Sequence, residues 1–402
     1  MSTDKISLAL VGCGGISGAH LNGYKDLVNR GCREFSYVAC CDTNEANARK
    51  RAGELKDIQG GKEPQVFTSV AALVKAGIAD AADVCLPHCF HHSASIELLE
   101  GGLHVMCEKP VGISVAASRK IIEAAKKKKR VLAAAENVRR YLGARACKWA
   151  LMEKKMIGDL RAVHVQFTNN QPFDITNYAF KWRVIKNLVG GGMIMDSGAH
   201  FTDMMLHLFG EVDTVSCILR AHDNRMVEDV PIIGKAQADV EDAWHAVIQF
   251  KSGLYATWTY SRCFPGESVS AGNYFGSDGM MKDHSFPFHC FQAGGSVIRP
   301  DGKQVSREQI QQDYLMQLPQ SERERLFPYG CTDGFGVEIW DFCDAIRGKR
   351  KPEMDGEDGL RAKALCEACY ESATAGKPVK FSDVLSGKVN AYQKPIDKFW
   401  KI

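Results

Sequence analysis

The chain has 402 residues, 45% hydrophobic and 25% charged, ordinary proportions for a globular protein of roughly two or three domains. A formal net charge of +3 gives no electrostatic reason to expect nucleic acid or an anionic membrane surface as a partner. No run reaches the roughly 18 apolar residues of a membrane span, and the N-terminal ISLALVG is too short, and wrongly flanked, for a signal peptide. A cytoplasmic protein is therefore expected, its 15 cysteines reduced.

Ile6–Val11 is an apolar run that reads as a buried strand, and GCGGISGAH follows at once. Gly12 and Gly14 fit the first two positions of a dinucleotide fingerprint; the third is Ser17, with Gly18 behind it. The first glycine would make the tight turn, the second would let the backbone approach a pyrophosphate, and the next helix would aim its N–H groups at that anion. Gly12, Cys13, Gly14, Gly15 and Ile16 are the candidate cofactor loop. A plain strand–turn–helix satisfies the same pattern. The following strand, EFSYVACCDTN, ends in Asp42, whose carboxylate suits the adenosine ribose hydroxyls and repels a 2′-phosphate. NAD is expected over NADP, although Arg49 on the next helix keeps NADP open.

Strand and helix patterns then alternate through QVFTS, VAALVKAG, AADVCLP, HSASIELLEGG, LHVMCEKP, SVAASRKIIEAAKKK and RVLAAAEN. This is the signature of a parallel, doubly wound sheet. Ligands bind at the carboxyl ends of such strands, which places Leu86, Pro87, His91 and Glu108 with Asp42 at the cofactor edge. Cys85, His88, Cys89, His91 and His92 crowd together, but their spacing fits no standard zinc pattern. Lys126–Arg130 reads as a solvated helix end whose lysines complement the helix dipole.

GGGMIMDSGAH, residues 190–200, places a carboxylate and an imidazole behind three glycines. A helix from about Met195 would put Asp196 and His200 on one face, a turn apart. An acid/base pair, a metal site, a polar stripe, or Asp196 as a helix cap all remain open. Asp203 and His207 extend the stripe over about 16 Å, too far for one ion, and read as structural or solvent-facing. No metal is expected. CEAC at Cys366–Cys369 has redox-motif spacing but reads as one face of a helix.

Taken together, LALVGCGGISGAH, the block ADVCLPHCFHHSASIELLEGGLHVMCEKP, WRVIKNLVGGGMIMDSGAHFTDMMLHLFG, the strands VEDAWHAVIQFKSGLYATW and NYFGSDGMM, and the closing helices EIWDFCDAIRGKRKPEMDGEDGLRAKALCEACYESATAGKPV resemble the glucose–fructose oxidoreductase / inositol dehydrogenase (Gfo/Idh/MocA) family over nearly the whole chain. The resemblance implies an N-terminal Rossmann domain over 1–135. It also implies a C-terminal α/β domain over 136–402, with an open, mostly antiparallel sheet for substrate binding and oligomerisation into a homodimer or homotetramer. The polar segment 284–329 reads as an extended loop or insertion. The implied chemistry transfers a hydride between a secondary hydroxyl of a sugar, cyclic polyol or glycoside, C3 among the candidate carbons, and the nicotinamide.

His200 suits a general base, Asp196 could orient it, and the Lys109 ammonium could stabilise a developing alkoxide. The resemblance assigns related roles to these three positions; which of Lys109 and His200 takes the proton is open. Pro110 fixes the bend after its strand, a place for a cis bond. Asn137, Arg140, Trp182 and Arg183 are candidate substrate contacts, and Arg262 is a further one without a motif. Two other functions stay open: an NAD-dependent glycosidase working by transient oxidation and elimination, and a dinucleotide-binding regulator without turnover.

Overall fold

The computed structural model describes residues 5–402, which fall into two compact units: one runs to Arg140 and includes Gln320–Leu360, the other holds Tyr141–Pro319 and Arg361–Ile402. The first unit opens with β1 (Ile6–Val11), α1 (Ser17–Asn29), β2 (Phe35–Cys41), α2 (Glu45–Gln59), β3 (Gln65–Phe67), α3 (Val70–Ala76), β4 (Ala81–Val84), α4 (His88–Glu100), β5 (His104–Glu108), α5 (Val115–Lys128) and β6 (Leu132–Ala135). The strands form one parallel sheet in the order β3-β2-β1-β4-β5-β6. Its central strands are apolar on both faces, as a sheet covered on both sides demands: Leu8, Ala9, Leu10, Ala81, Ala82, Val84 and Val105 are all buried. Asn44, Ser69 and Ser114 start α2, α3 and α5 by accepting an amide proton from the first turn. Lys126, Lys127 and Lys128 close α5 as expected. Strand order reverses between β1 and β4, so the ligand crevice of this doubly wound sheet opens at their carboxyl ends.

The second unit begins with α6 (Leu142–Lys148), β7 (Leu160–Thr168), α7 (Tyr178–Lys181), α8 (Lys186–Val189) and α9 (Gly198–Phe209). The strands β8 (Val212–Arg220), β9 (Met226–Val230), β10 (Gly234–Gln237), β11 (Ala243–Phe250), β12 (Tyr255–Ser261), β13 (Val269–Gly276), β14 (Met280–Asp283), β15 (Gly295–Ile298) and β16 (Gln304–Val305) follow, then α10 (Arg307–Gln317). The chain re-enters the first unit for α11 (Gln320–Leu326) and α12 (Gly334–Gly348), passes through α13 (Gly356–Ala375), and ends in the second unit with β17 (Val379–Lys380), α14 (Phe381–Leu385) and α15 (Lys394–Trp400).

Nine strands of the second unit form an open sheet, β16-β15-β14-β13-β7-β12-β11-β8-β17, in which only β12 and β7 pair in parallel. Period-two alternation divides its faces. Val163, Val165, Ala246, Ile248, Ala256 and Trp258 are buried inward, with Phe201 of α9 stacked on Trp258 at 4.3 Å. Ile218, Tyr255 and Phe275 are exposed on the other face. β9 and β10 make a separate hairpin.

Two expectations change. Segment 320–360 belongs to the first unit, because α12 packs on α1 through small residues: a Cβ at Gly23 would lie 2.4 Å from the Gly336 nitrogen. Trp340 and Arg347 also bond Glu34, and the Ala134 amide donates to the Met354 carbonyl. Segment 284–329 is no extended loop. It supplies two strands and two helices, and Phe288, Phe291, Val297, Ile310 and Tyr314 are buried, while Phe286 and Met316 are exposed. All 15 cysteines are free thiols, and all but Cys263 are buried, including Cys366 and Cys369 on α13. Among the described residues no helix is long and apolar enough to cross a membrane.

Candidate active site

In the first unit, the loop after β1 is shaped to receive a phosphate. Gly12 has φ +89°, and a Cβ there would lie 2.4 Å from the Cys85 carbonyl, so only glycine fits. Around Gly14 and Gly15 a Cβ would meet nothing within 4 Å: the space in front of them is open. The Ile16 end of α1 has no side-chain cap; its Gly18 and Ala19 amides bond back to the Gly15 and Ile16 carbonyls at 3.1 and 2.9 Å. The Cys13 amide instead donates to Asp42 Oδ2 at 2.8 Å, and Asn44 donates to Asp42 Oδ1 at 2.8 Å. Those bonds fix the carboxylate at the end of β2.

Ser17, the departure from the usual third glycine, is fully buried. Its Oγ donates to the Gly14 carbonyl at 2.7 Å, while Arg51 on α2 donates from Nε to Ser17 Oγ at 3.0 Å and from a terminal nitrogen to the Gly14 carbonyl at 2.9 Å. Arg51 lies in a polar helix, and nothing in the spacing marks it. Arg49, by contrast, is an exposed partner of Glu45.

Leu86 and Pro87 follow β4 and are half-buried. His91 is buried, with Nδ1 2.9 Å from the Pro110 carbonyl and Nε2 2.7 Å from the Leu86 carbonyl. Burial opposes its charge, but Cys107 and the two carbonyls prevail and push it up to about 9. His91 thus ties together the two strand-end loops rather than facing outward. Glu108 is likewise committed: Oε1 lies 3.0 Å from His20 Nε2 and Oε2 accepts the Lys109 amide at 2.9 Å. His20 is buried, and its Nδ1 meets Asp83 at 3.0 Å. Lys109 is half-buried and precedes a cis bond to Pro110.

Asn137 is buried, and its Oδ1 has no hydrogen-bond partner, an acceptor awaiting a donor. Arg140 is placed differently from the substrate contact expected of it. It is 1% exposed and pairs with Asp341 at 3.0 Å and Glu353 at 3.5 Å. This is a structural ion cluster; a buried guanidinium needs such partners.

In the second unit, Asp196 is not on a helix. It sits in the turn before α9, which begins at Gly198 with Ser197 at its cap position. Gly198 brings the chain against Trp258, where a Cβ would lie 2.6 Å from the indole. Asp196 Oδ2 accepts from Arg183 at 2.7 Å, so a predicted substrate contact and a predicted catalytic carboxylate are partners. Arg183 also lies over Trp182 at 4.9 Å and keeps a buried Nε without a partner. His200, on the first turn of α9, is 9% exposed, and its ring is 5.0 Å from that of His289. Sequence reasoning missed His289, which lies in the segment read as a loop. Asp203 is buried rather than solvent-facing, and His207 meets Lys148 at 3.2 Å.

Arg262 donates to the Gln171 carbonyl and lies 3.7 Å from the Phe173 ring, lining a cavity with His222, Arg225 and Glu241. Among the described residues, two groups have ligand-type atoms within 4.8 Å: His20, Asp83 and Cys85, and His222, Asp242 and Cys263. Neither contains Asp196, His200 or the histidines of α4.

Residues 6–136 match the family described as "Oxidoreductase family, NAD-binding Rossmann fold", and residues 150–381 match its "C-terminal alpha/beta domain". The chain belongs to the Gfo/Idh/MocA oxidoreductase family. It is 24% identical over 396 residues to the D-glucoside 3-dehydrogenase of Escherichia coli, covering 94% of this chain and 99% of that one. It is 30% identical over 314 residues to the levoglucosan dehydrogenase of Pseudarthrobacter phenanthrenivorans, covering 72% of this chain and 77% of that one. A solved levoglucosan dehydrogenase, in complex with NADH and L-sorbose, shares the fold with a TM-score of 0.74 at 20% identity, over 94% of this chain and 99% of that chain. NAD is the cofactor of this Gfo/Idh/MocA domain, and the open glycine loop and tethered Asp42 fit it.

Proposed function

We propose that this oxidoreductase removes a hydride from a secondary hydroxyl-bearing carbon of a sugar, cyclic polyol or glycoside. The observation that carries the reading is the open glycine loop with its tethered Asp42 in the first unit; in the second, the Arg183-bound Asp196 and His200 on α9 support it. Relatives named D-glucoside 3-dehydrogenase and glucose-6-phosphate 3-dehydrogenase support a sugar ring, and carbon 3 in particular.

Bound NAD supplies the hydride acceptor. The chain's part is to hold the alcohol and move its proton. As the C–H electron pair leaves, the C–O bond becomes a carbonyl and the hydroxyl proton must go to a base. The family resemblance assigns Lys109 and His200 to that oxygen, one to take its proton and the other to favour the negative charge that develops on it. Arg183 fixes the Asp196 carboxylate, and Asn137 Oδ1 offers an acceptor to a substrate hydroxyl.

The test is a spectrophotometric panel of sugars, inositols and glycosides with NAD and with NADP. Net NADH formation with at least one sugar or polyol, faster than with NADP, is expected. Lys109→Ala and His200→Ala should each reduce turnover at least about 100-fold, the lower range for a lost acid/base, with NADH affinity unchanged. Cleaved glycoside with unchanged cofactor would replace the dehydrogenase reading by the elimination route. Tight NADH binding without turnover across the panel would favour a regulator.

A further inference from the structure

The glycines ahead of Asp196 are gripped by one buried carboxylate. Glu241, two residues before β11, is 4% exposed. Its Oε2 accepts the Gly192 amide at 2.7 Å, and its Oε1 accepts the Ile194 amide and the Tyr370 hydroxyl, both at 2.9 Å. The Gly192 carbonyl accepts the amides of Met195 at 3.1 Å and Asp196 at 3.0 Å, and the Met193 carbonyl accepts that of Gly198 at 2.8 Å. A short path of backbone bonds therefore runs from Glu241 to Asp196 and to the start of the helix carrying His200.

The same grip explains the glycines. A Cβ at Gly192 would lie 2.4 Å from the Glu241 carbonyl oxygen, and one at Gly191 would lie 2.2 Å from the Tyr370 hydroxyl. Both positions need glycine for close approach rather than for an unusual φ. From α13, Lys363, paired with Glu367 at 2.5 Å, brings Nζ to 3.0 Å from Met195 Sδ, so the turn is held on a second side.

We propose that Glu241 is a positioning residue that sets the 190–197 turn and thereby the placement of Asp196 and His200. The inference rests on the catalytic reading of those two groups given above. Three donors converge on this side chain, and an ionised carboxylate, acceptor-only at both oxygens, satisfies all of them, although burial pushes its pKa up to about 7. Glutamine keeps the shape but turns an –NH2 against either the Gly192 amide or the Ile194 amide and Tyr370. A buried amide then loses its acceptor.

The test compares Glu241→Gln and Tyr370→Phe with the unaltered chain. The readouts are NADH affinity by fluorescence, thermal midpoint, kcat and KM on the best substrate of the panel, and amide hydrogen exchange over residues 190–200. Glu241→Gln should exchange faster at Gly192, Ile194 and Asp196 and lose about 100-fold in kcat, the effect of roughly 1 Å of misplacement. KM and NADH affinity should hardly change. Tyr370→Phe should do the same more weakly. A folded Glu241→Gln with unchanged exchange in the turn, or with near-native kcat, overturns the proposal. If that variant does not fold, unchanged exchange and kcat in Tyr370→Phe overturn it. His200→Ala in the same assay separates the two readings. An active His200→Ala rejects the role of His200, and the exchange data then judge the grip on their own. An inactive one beside an active Glu241→Gln rejects Glu241 alone.

Discussion

Single residues divide by how their partners are reached. Gly12, Gly14 and Asp42 were legible because the features that mark them are local: a strand end, a spacing, an acid at the next strand end. Arg140 was misplaced because its partners, Asp341 and Glu353, lie some two hundred residues on, and no local pattern separates a buried ion cluster from a substrate contact. Glu241, His289 and Arg51 were missed for the same reason. His91 was read as a cofactor-edge residue, but it lies on α4 with its ring held between two carbonyls. That arrangement has a pH consequence. Burial opposes the charge, but Cys107 and the two carbonyls facing the ring nitrogens outweigh it, so the ring is favoured as a two-donor imidazolium and its pKa is raised from 6.5 to about 9. The stabilisation is fully present below the unfolded value near 6.5 and is lost as pH rises through about 9. A shift of that size corresponds to about 3 kcal/mol. The thermal-midpoint gap between the unaltered chain and His91→Gln should therefore be large in mildly acidic solution and shrink in alkaline solution. A gap that is constant, or that widens with pH, contradicts the assignment.

At the scale of elements, strand–helix alternation located the parallel strands and crossing helices of the first unit, while the open sheet was expected only from the family resemblance. Two boundaries went astray for physical reasons. A helix from Met195 was the natural reading of apolar MIM followed by a four-residue spacing, but the Glu241 bonds to Gly192 and Ile194 hold that stretch as a turn. Segment 284–329 read as a loop because it is rich in polar residues, yet Phe288, Phe291, Val297, Ile310 and Tyr314 within it are buried. The glycine loop, in contrast, makes a prediction from shape alone. Gly12→Ala places a Cβ against the Cys85 carbonyl at positive φ, a backbone strain of about 1–3 kcal/mol before any clash is counted. It should lower the thermal midpoint and weaken NADH binding. Gly14→Ala meets nothing in the protein, so it should leave the midpoint unchanged and still weaken NADH, because its methyl occupies the space in front of the loop. Equal NADH affinity in Gly14→Ala and the unaltered chain would show that the dinucleotide does not approach there.

Across the whole molecule, each unit contributes a different part of the account. The first has the cofactor cradle and Lys109; the second has the gripped turn, Asp196 and His200. The order of motifs along the chain made the family legible, whereas the return of 320–360 to the first unit was not. It depends on Gly23 and Gly336, two small residues that only a packed structure brings together. The central claim is that the enzyme moves a hydride from a ring carbon to NAD. Its most direct test uses the sugar selected by the panel with deuterium at the oxidised carbon, followed by mass analysis of the reduced cofactor. The account predicts one deuterium on the nicotinamide for each ketone formed. Unlabelled reduced cofactor, or product formed while the label stays on the sugar, would contradict it.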